Sequence, residues 1–126
     1  MTALLVEALG HGFGTRTALE DVSLAVGEGS FVVLLGRNGA GKTTLLSLAT
    51  GLYHARRGRI EVFGRDMRRD PAGALADIGV VFQQLTLDLD LTTSENLRYH
   101  AGLHGLPARA AAERAVEELD RLGMLD

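Results

Sequence analysis

The sequence has no cysteine, no tryptophan, two prolines and a single lysine among its 126 residues. Without cysteine there is no disulfide framework and no thiolate metal site. Pro71 and Pro107 stand alone, so no proline-rich linker divides the chain. No apolar run approaches the ~18 residues that a membrane span requires. The opening residues MTALLVEALG carry no basic flank and place Glu7 inside their apolar run, so they read as a strand and not as a targeting leader. Any role at a membrane is therefore expected to come through a partner. A formal net charge of -3 supplies no basic field for nucleic acid, and no nucleic-acid partner is expected. What is present is ordinary for one globular domain, with 46% hydrophobic and 23% charged residues. A cytoplasmic address is the default for such a chain.

Twelve arginines accompany the one lysine, Lys42. A position that breaks so consistent a habit suggests a need for what arginine lacks, a compact ammonium charge on a flexible stem.

Alternating and continuous apolar patterns predict strands at residues 4–8, 23–26, 31–35, 59–63 and 78–82, with 31–35 buried on both faces. Residues 42–50, rich in Leu and Ala and followed by Gly51, predict a helix. Thr92 and Glu95 spell a capping box that opens a helix to about Leu103. Pro107 sits near the start of another, with Ala112, Val116, Leu119 and Leu122 as an apolar stripe, Glu117 and Arg121 as an i,i+4 pair, and Gly123 as its cap. The order of strand, glycine-rich loop and helix is that of an α/β protein.

Gly36, Arg37, Asn38, Gly39, Ala40, Gly41, Lys42 and Thr43 fit the pattern G-x-x-x-x-G-K-[ST], placed between an apolar strand and a helix. Glycines allow the backbone to turn successive N–H groups into one anion-binding concavity. The helix N-terminus adds partial positive charge, and Lys42 is placed to reach the outer phosphates of a nucleotide. The Thr43 hydroxyl suits magnesium, a hard ion that takes few protein ligands and shares the phosphates. ATP and magnesium are the expected ligands.

The stretch TALEDVSLAVGEGSFVVLLGRNGAGKTTLLSLATGL, with IGVVFQQ further on, resembles the first half of an ATP-binding cassette (ABC) transporter nucleotide-binding domain. From Val6 onward nearly the whole chain follows that family's order. The resemblance implies a P-loop NTPase fold, as a partial ABC ATPase domain: an N-terminal antiparallel β region and P-loop core over residues 1–91, and the start of a helical subdomain over 92–126. It implies that Gln83 senses magnesium and the γ-phosphate, that Phe13 stacks on adenine where the family usually has Tyr, and that Thr44 lies near the α-phosphate. Residues 85–91 would face a membrane-spanning transporter subunit carried on a separate chain. A second nucleotide-binding domain would form a dimer with this one on ATP binding, peripheral on the inner face of the cell membrane. The LSGGQ signature, the Walker B strand that pairs beside residues 31–35, the D-loop and the switch histidine would all lie beyond Asp126. No residue here matches them, so no catalytic residue is carried over and the chain alone is expected to bind without hydrolysing. The segment LTLDLDLTTSENLRYHAGLHGL is most similar to exporter-type ATPases. A non-transport ATPase of the same family, and a degenerate fragment that only binds nucleotide, are the alternatives.

Other patterns have simpler readings. His100 and His104 lie a helical turn apart, but no third ligand is near. Arg56, Arg57, Arg59, Arg65, Arg68 and Arg69 interleave with Glu61, Asp66 and Asp70, as a solvated charged face does. Asp88 and Asp90 alternate with leucines in a half-exposed segment.

Overall fold

A computed structural model describes residues 1–125. They fall into two compact units, Met1–Val80 and a second from Val81 onward.

The first unit is built on an antiparallel sheet of β1 (Thr2–Phe13), β2 (Arg16–Gly27), β3 (Arg57–Val62) and β4 (Arg65–Asp66), in the order β2-β1-β3-β4. Val6 and Leu9 of β1, Leu19 of β2, and Ile60 and Val62 of β3 turn to one face. There they meet Leu45 and Leu48 of α1 (Lys42–Ala49) and Ala74 of α2 (Pro71–Ala76), with Met67. Removing this surface from water is the main drive for the two-layer arrangement. The opposite face carries charge, where Arg59 pairs with Glu7 at 2.6 Å and with Glu61 at 3.1 Å. The Glu7 hydrogen bond, then the two negative charges, hold the guanidinium above its ordinary pKa, although exposed pairs of this kind add little stability.

The first two strands are longer than their apolar patterns suggest, because pairing continues through register slips that alternation does not reveal. At one slip Ala8 takes φ +48° and its N–H donates to Ser23 Oγ at 2.9 Å. Across from it Gly58 has φ +79°, and a Cβ there would lie 2.6 Å from the Ala8 carbonyl carbon. Only glycine fits where β3 crosses this bulge.

Residues 31–35 correct an expectation. They form no strand, and no backbone hydrogen bond involves them among the described residues. All five are exposed, from 42% for Leu34 to 92% for Phe31. A strand exists only as one side of a paired ladder, and no described segment pairs here. Residues 78–82 likewise form no strand. Ile78 is half-buried against the core, but Val81 is 100% exposed and the segment carries no ladder.

α1 ends at Ala49, with Thr50 as its C-cap and Gly51 at φ +76°, one residue short of the expected span. α2 was not anticipated. Asp70 caps it by accepting from Gly73 N–H at 3.0 Å, and Pro71 occupies its first turn.

The second unit is a pair of helices, α3 (Thr93–Leu103) and α4 (Ala108–Arg121). The capping box forms as spelled: Glu95 N–H donates to Thr92 Oγ1 at 3.2 Å, and Thr92 N–H donates to Glu95 Oε2 at 2.7 Å. That second bond lowers the Glu95 pKa. Asn96 is 7% exposed and ties the preceding loop to α3. Its Nδ2 donates to the carbonyls of Asp88, Leu91 and Thr92 at 2.9, 3.3 and 3.1 Å, and its Oδ1 accepts from Asp88 N–H at 2.9 Å.

On α4 Pro107 is the N-cap, and Gly123 has φ +68° just past the end. The predicted stripe is only partly the covered face: Ala111 is buried and Leu119 half-buried, whereas Ala112, Val116 and Leu122 are exposed. Arg121 pairs with Glu118 and not with Glu117, which pairs with Arg114 at 3.5 Å. Glu118 also draws Arg114 to 2.8 Å, so it collects both arginines of this face.

Candidate functional site

Residues 36–40 form an exposed loop closed by a turn, in which Ala40 N–H donates to the Arg37 carbonyl at 3.0 Å. Gly41 then leads into α1 at φ +100°. A Cβ at Gly41 would lie 2.8 Å from both Ala18 O and Leu19 Cδ2, so its lack of a side chain lets the helix start press against β2.

No side chain caps α1, and its first turn holds no acidic residue. The first helical bond is Leu45 N–H to Gly41 O at 2.9 Å. The N–H groups of Lys42, Thr43 and Thr44 therefore have no acceptor among the described residues. Unpaired donors at a helix N-terminus, with the dipole behind them, favour an anion. The Lys42 ammonium folds back over the loop, donating to the carbonyls of Gly36 and, at 3.0 Å, Arg37. It meets no carboxylate among the described residues, so its charge is not neutralised by a partner. Thr43 is exposed and its hydroxyl is uncommitted among the described residues, which suits a single hydroxyl ligand to a hard cation. Thr44, beside it, is half-buried.

Phe13 ends β1, opposite Arg16 across the hairpin. It is 45% exposed, which excludes a core role. Its ring meets His11 at 4.9 Å and Tyr53 at 5.6 Å between centroids, nearly perpendicular to each. His11 and Tyr53 lie 6.1 Å apart and near parallel. His11 Nδ1 is buried with no hydrogen-bond partner among the described residues. The loop and the aromatic group are joined by a short stretch of β2. Gly41 backs onto Ala18 and Leu19, and the adjoining Thr17 and Arg16 pair with Gly12 and Phe13.

The P-loop residues, Thr44 and Phe13 thus belong to the first unit. Gln83 belongs to the second, exposed in an irregular stretch with its side chain uncommitted among the described residues. A concave region of about 600 Å³ lies elsewhere, over the β1–β2 turn and the start of β3. Its wall includes His11, Arg16, Glu20, Asp21, Arg56 and Arg57, and none of residues 36–44. No group of three metal-ligating side chains occurs among the described residues, His100 and His104 included.

Sequence reasoning missed His11 and Tyr53 as ring partners of Phe13, since only the tertiary fold brings the turn after α1 to the end of β1. It also missed Asn96, although an Asn directly after a capping-box Glu is well placed to bond the loop before the helix.

The ABC transporter family matches residues 19–126. The chain belongs to that family. Among curated ABC proteins it is 38% identical over 125 residues to the daunorubicin resistance ATP-binding protein DrrA3 of Streptomyces coeruleorubidus, covering 99% of this chain and 40% of that protein. It is 44% identical over 122 residues to the sulfate/thiosulfate import ATP-binding protein CysA 2 of Chromobacterium violaceum, covering 96% and 32%. It is 43% identical over 112 residues to the Fe(3+) ions import ATP-binding protein FbpC of Brucella suis biovar 1, covering 89% and 31%. Among solved structures, the ATP-binding subunit of an ABC transporter superposes with a TM-score of 0.85 at 35% identity, over 98% of this chain and 51% of that one. The ADP conformation of MJ1267, an ATP-binding cassette of an ABC transporter, gives 0.80 at 28%, over 99% and 55%. The fold is therefore that of the ABC ATPase, a P-loop NTPase. The chain spans less than half the length of these curated relatives and about half that of the solved chains.

Proposed function

We propose that this chain binds ATP with magnesium as part of the nucleotide-binding subunit of an ABC transporter. One observation carries the reading. Three unpaired N–H groups at the start of α1 open onto a loop crossed by the only lysine, whose ammonium has no carboxylate partner among the described residues.

In this reading the backbone of Gly36, Arg37, Asn38, Gly39, Ala40 and Gly41 wraps the phosphates, with the N–H groups of Lys42, Thr43 and Thr44 pointing at them. Lys42 exchanges two neutral carbonyls for anionic phosphate oxygens, and charge-assisted hydrogen bonds are the stronger kind. Thr43 supplies a hydroxyl ligand to magnesium and Gln83 an amide oxygen. Bound magnesium offsets phosphate charge. Phe13 offers a ring face to adenine. In the whole protein, hydrolysis would drive transport through a membrane-spanning subunit on a separate chain, met by the exposed leucines of residues 85–91. A second ATP-binding domain would close on the first at the cytoplasmic face. The relatives' names span drug resistance and import, so the proposal covers transport and not its direction.

Titration with Mg-ATP tests the reading. Lys42→Ala should weaken binding by roughly a hundredfold, as the loss of two charge-assisted hydrogen bonds implies. Lys42→Arg should not restore it, because a planar guanidinium does not replace a compact ammonium inside the loop. Phosphate release by residues 1–126 alone should stay at background, since no proposed residue activates water. Wild-type affinity in both Lys42 variants would overturn the assignment.

A further inference from the structure

We infer that Tyr53 and His11 are positioning residues for base recognition, holding Phe13 so that a nucleotide base meets an already ordered ring. The inference rests on the nucleotide-binding reading above and assigns a role to two residues outside the phosphate loop. His11 and Tyr53 lie near parallel to each other, 20° apart, and both stand nearly perpendicular to Phe13, at 82° and 77°. Such edge-to-face contacts fix a ring without stacking a parallel one on it. No ring among the described residues stacks parallel on Phe13, and the side chain remains 45% exposed.

The cluster is also fastened to the phosphate loop from behind. The N–H groups of Leu52 and Tyr53 both donate to the Ser47 carbonyl of α1, at 2.9 and 3.4 Å. Tyr53 therefore takes its place from the far end of the helix whose first residue is Lys42. His11 reaches the same point from β1, two residues before Phe13. Its Nδ1 is buried without a partner among the described residues, so packing against the two rings, and not a hydrogen bond from that atom, sets its orientation.

A lone Phe at the end of a hairpin would lose rotamer freedom when a base stacked on it. A ring held in advance does not, and the affinity gained is the ordering cost avoided. Tyr53 and His11 should therefore act through Phe13, on ligands that carry a base, and on nothing else.

The experiment titrates Mg-ATP and, separately, magnesium tripolyphosphate, which offers phosphates without a base, to the wild-type chain and its variants. Phe13→Ala should weaken ATP by about tenfold. Tyr53→Ala should weaken ATP by about two- to tenfold, Tyr53→Phe should restore it, and tripolyphosphate affinity should stay the same in all three. In a Phe13→Ala background, Tyr53→Ala should have no further effect. Tyr53 is half-exposed, so its truncation does not open the core. The inference is overturned if Tyr53→Ala leaves ATP affinity unchanged, weakens both ligands equally, or keeps its full effect without Phe13. Lys42-dependent tripolyphosphate binding sustains the phosphate-loop reading whatever the Tyr53 outcome. Failure of the wild-type chain to bind either ligand would overturn both.

Discussion

Gly58 and Gly64 offer a matched pair for separating backbone strain from steric exclusion, because their φ values are +79° and +78°. At Gly64 an added Cβ meets nothing within 4 Å, so Gly64→Ala carries only the left-handed penalty, about 1–2 kcal/mol. At Gly58 the same atom falls on the Glu7 and Ala8 carbonyls, 2.6 Å from the Ala8 carbon. Those neighbours are backbone, and no rotamer change can move them. The β1–β3 ladder must open at its bulge, which adds an overpacking cost of about 1–3 kcal/mol. With a urea m-value of about 1–2 kcal/mol per molar, the Gly58→Ala midpoint should fall about 1–2 M below that of Gly64→Ala. The chain has no tryptophan, and Tyr53 and Tyr99 are its two tyrosines. In a Tyr99→Phe background, Tyr53 fluorescence therefore follows unfolding of the first unit. Equal midpoints for the two alanine variants would show that the bulge yields freely and that the crossing does not require glycine.

His11→Phe should keep the ring contacts while removing the orphaned Nδ1, raising stability by about 1 kcal/mol in urea unfolding and leaving ATP affinity within about twofold. Asn96→Ala strips four hydrogen bonds from the 88–92 loop, and the exchange rate of the Asp88 amide should rise by about tenfold or more while Lys42-dependent nucleotide binding persists. The Glu95 carboxyl has its pKa lowered from 4.5 by the Thr92 N–H, so its support of α3 is present above that value and lost as pH falls through the lower folded one. α3 should fray from its N-terminus in that acid range, as read by hydrogen exchange of its first turn, and Glu95→Gln should flatten the dependence.

What the sequence disclosed depended on how local each signal is. The glycine-rich loop, the start of α1 and the Thr92–Glu95 box are written in consecutive residues, and the structure puts that loop, helix start and capping box within a residue or two of expectation. α2 carried an equally local sign, Asp70 followed by Pro71, but lacks the apolar periodicity that draws attention to a helix. Residues 31–35 mislead in the opposite way, because an apolar run states that a strand wants burial and says nothing of which segment will pair with it. On α4 the stripe through Val116 and Leu122 has helical period, yet periodicity does not say which face meets α3, and Ala111 is the residue that is covered. The aromatic group is legible only from the tertiary fold. His11 and Phe13 share a strand, whereas Tyr53 arrives from forty residues away, placed by the turn that follows α1, where its N–H donates to the Ser47 carbonyl.

The ammonium that lies over the Gly36 and Arg37 carbonyls belongs to the only lysine of the chain. Besides the α-amino group of Met1, every amine-directed reaction within residues 1–126 has one address. Acetyl transfer, succinimidyl labelling, reductive methylation and lysine-specific proteolysis all converge on the mouth of the loop. For residues 1–126 the mass of a labelled sample then counts free loops directly, and a protease that cuts after lysine divides them at a single bond, between Lys42 and Thr43.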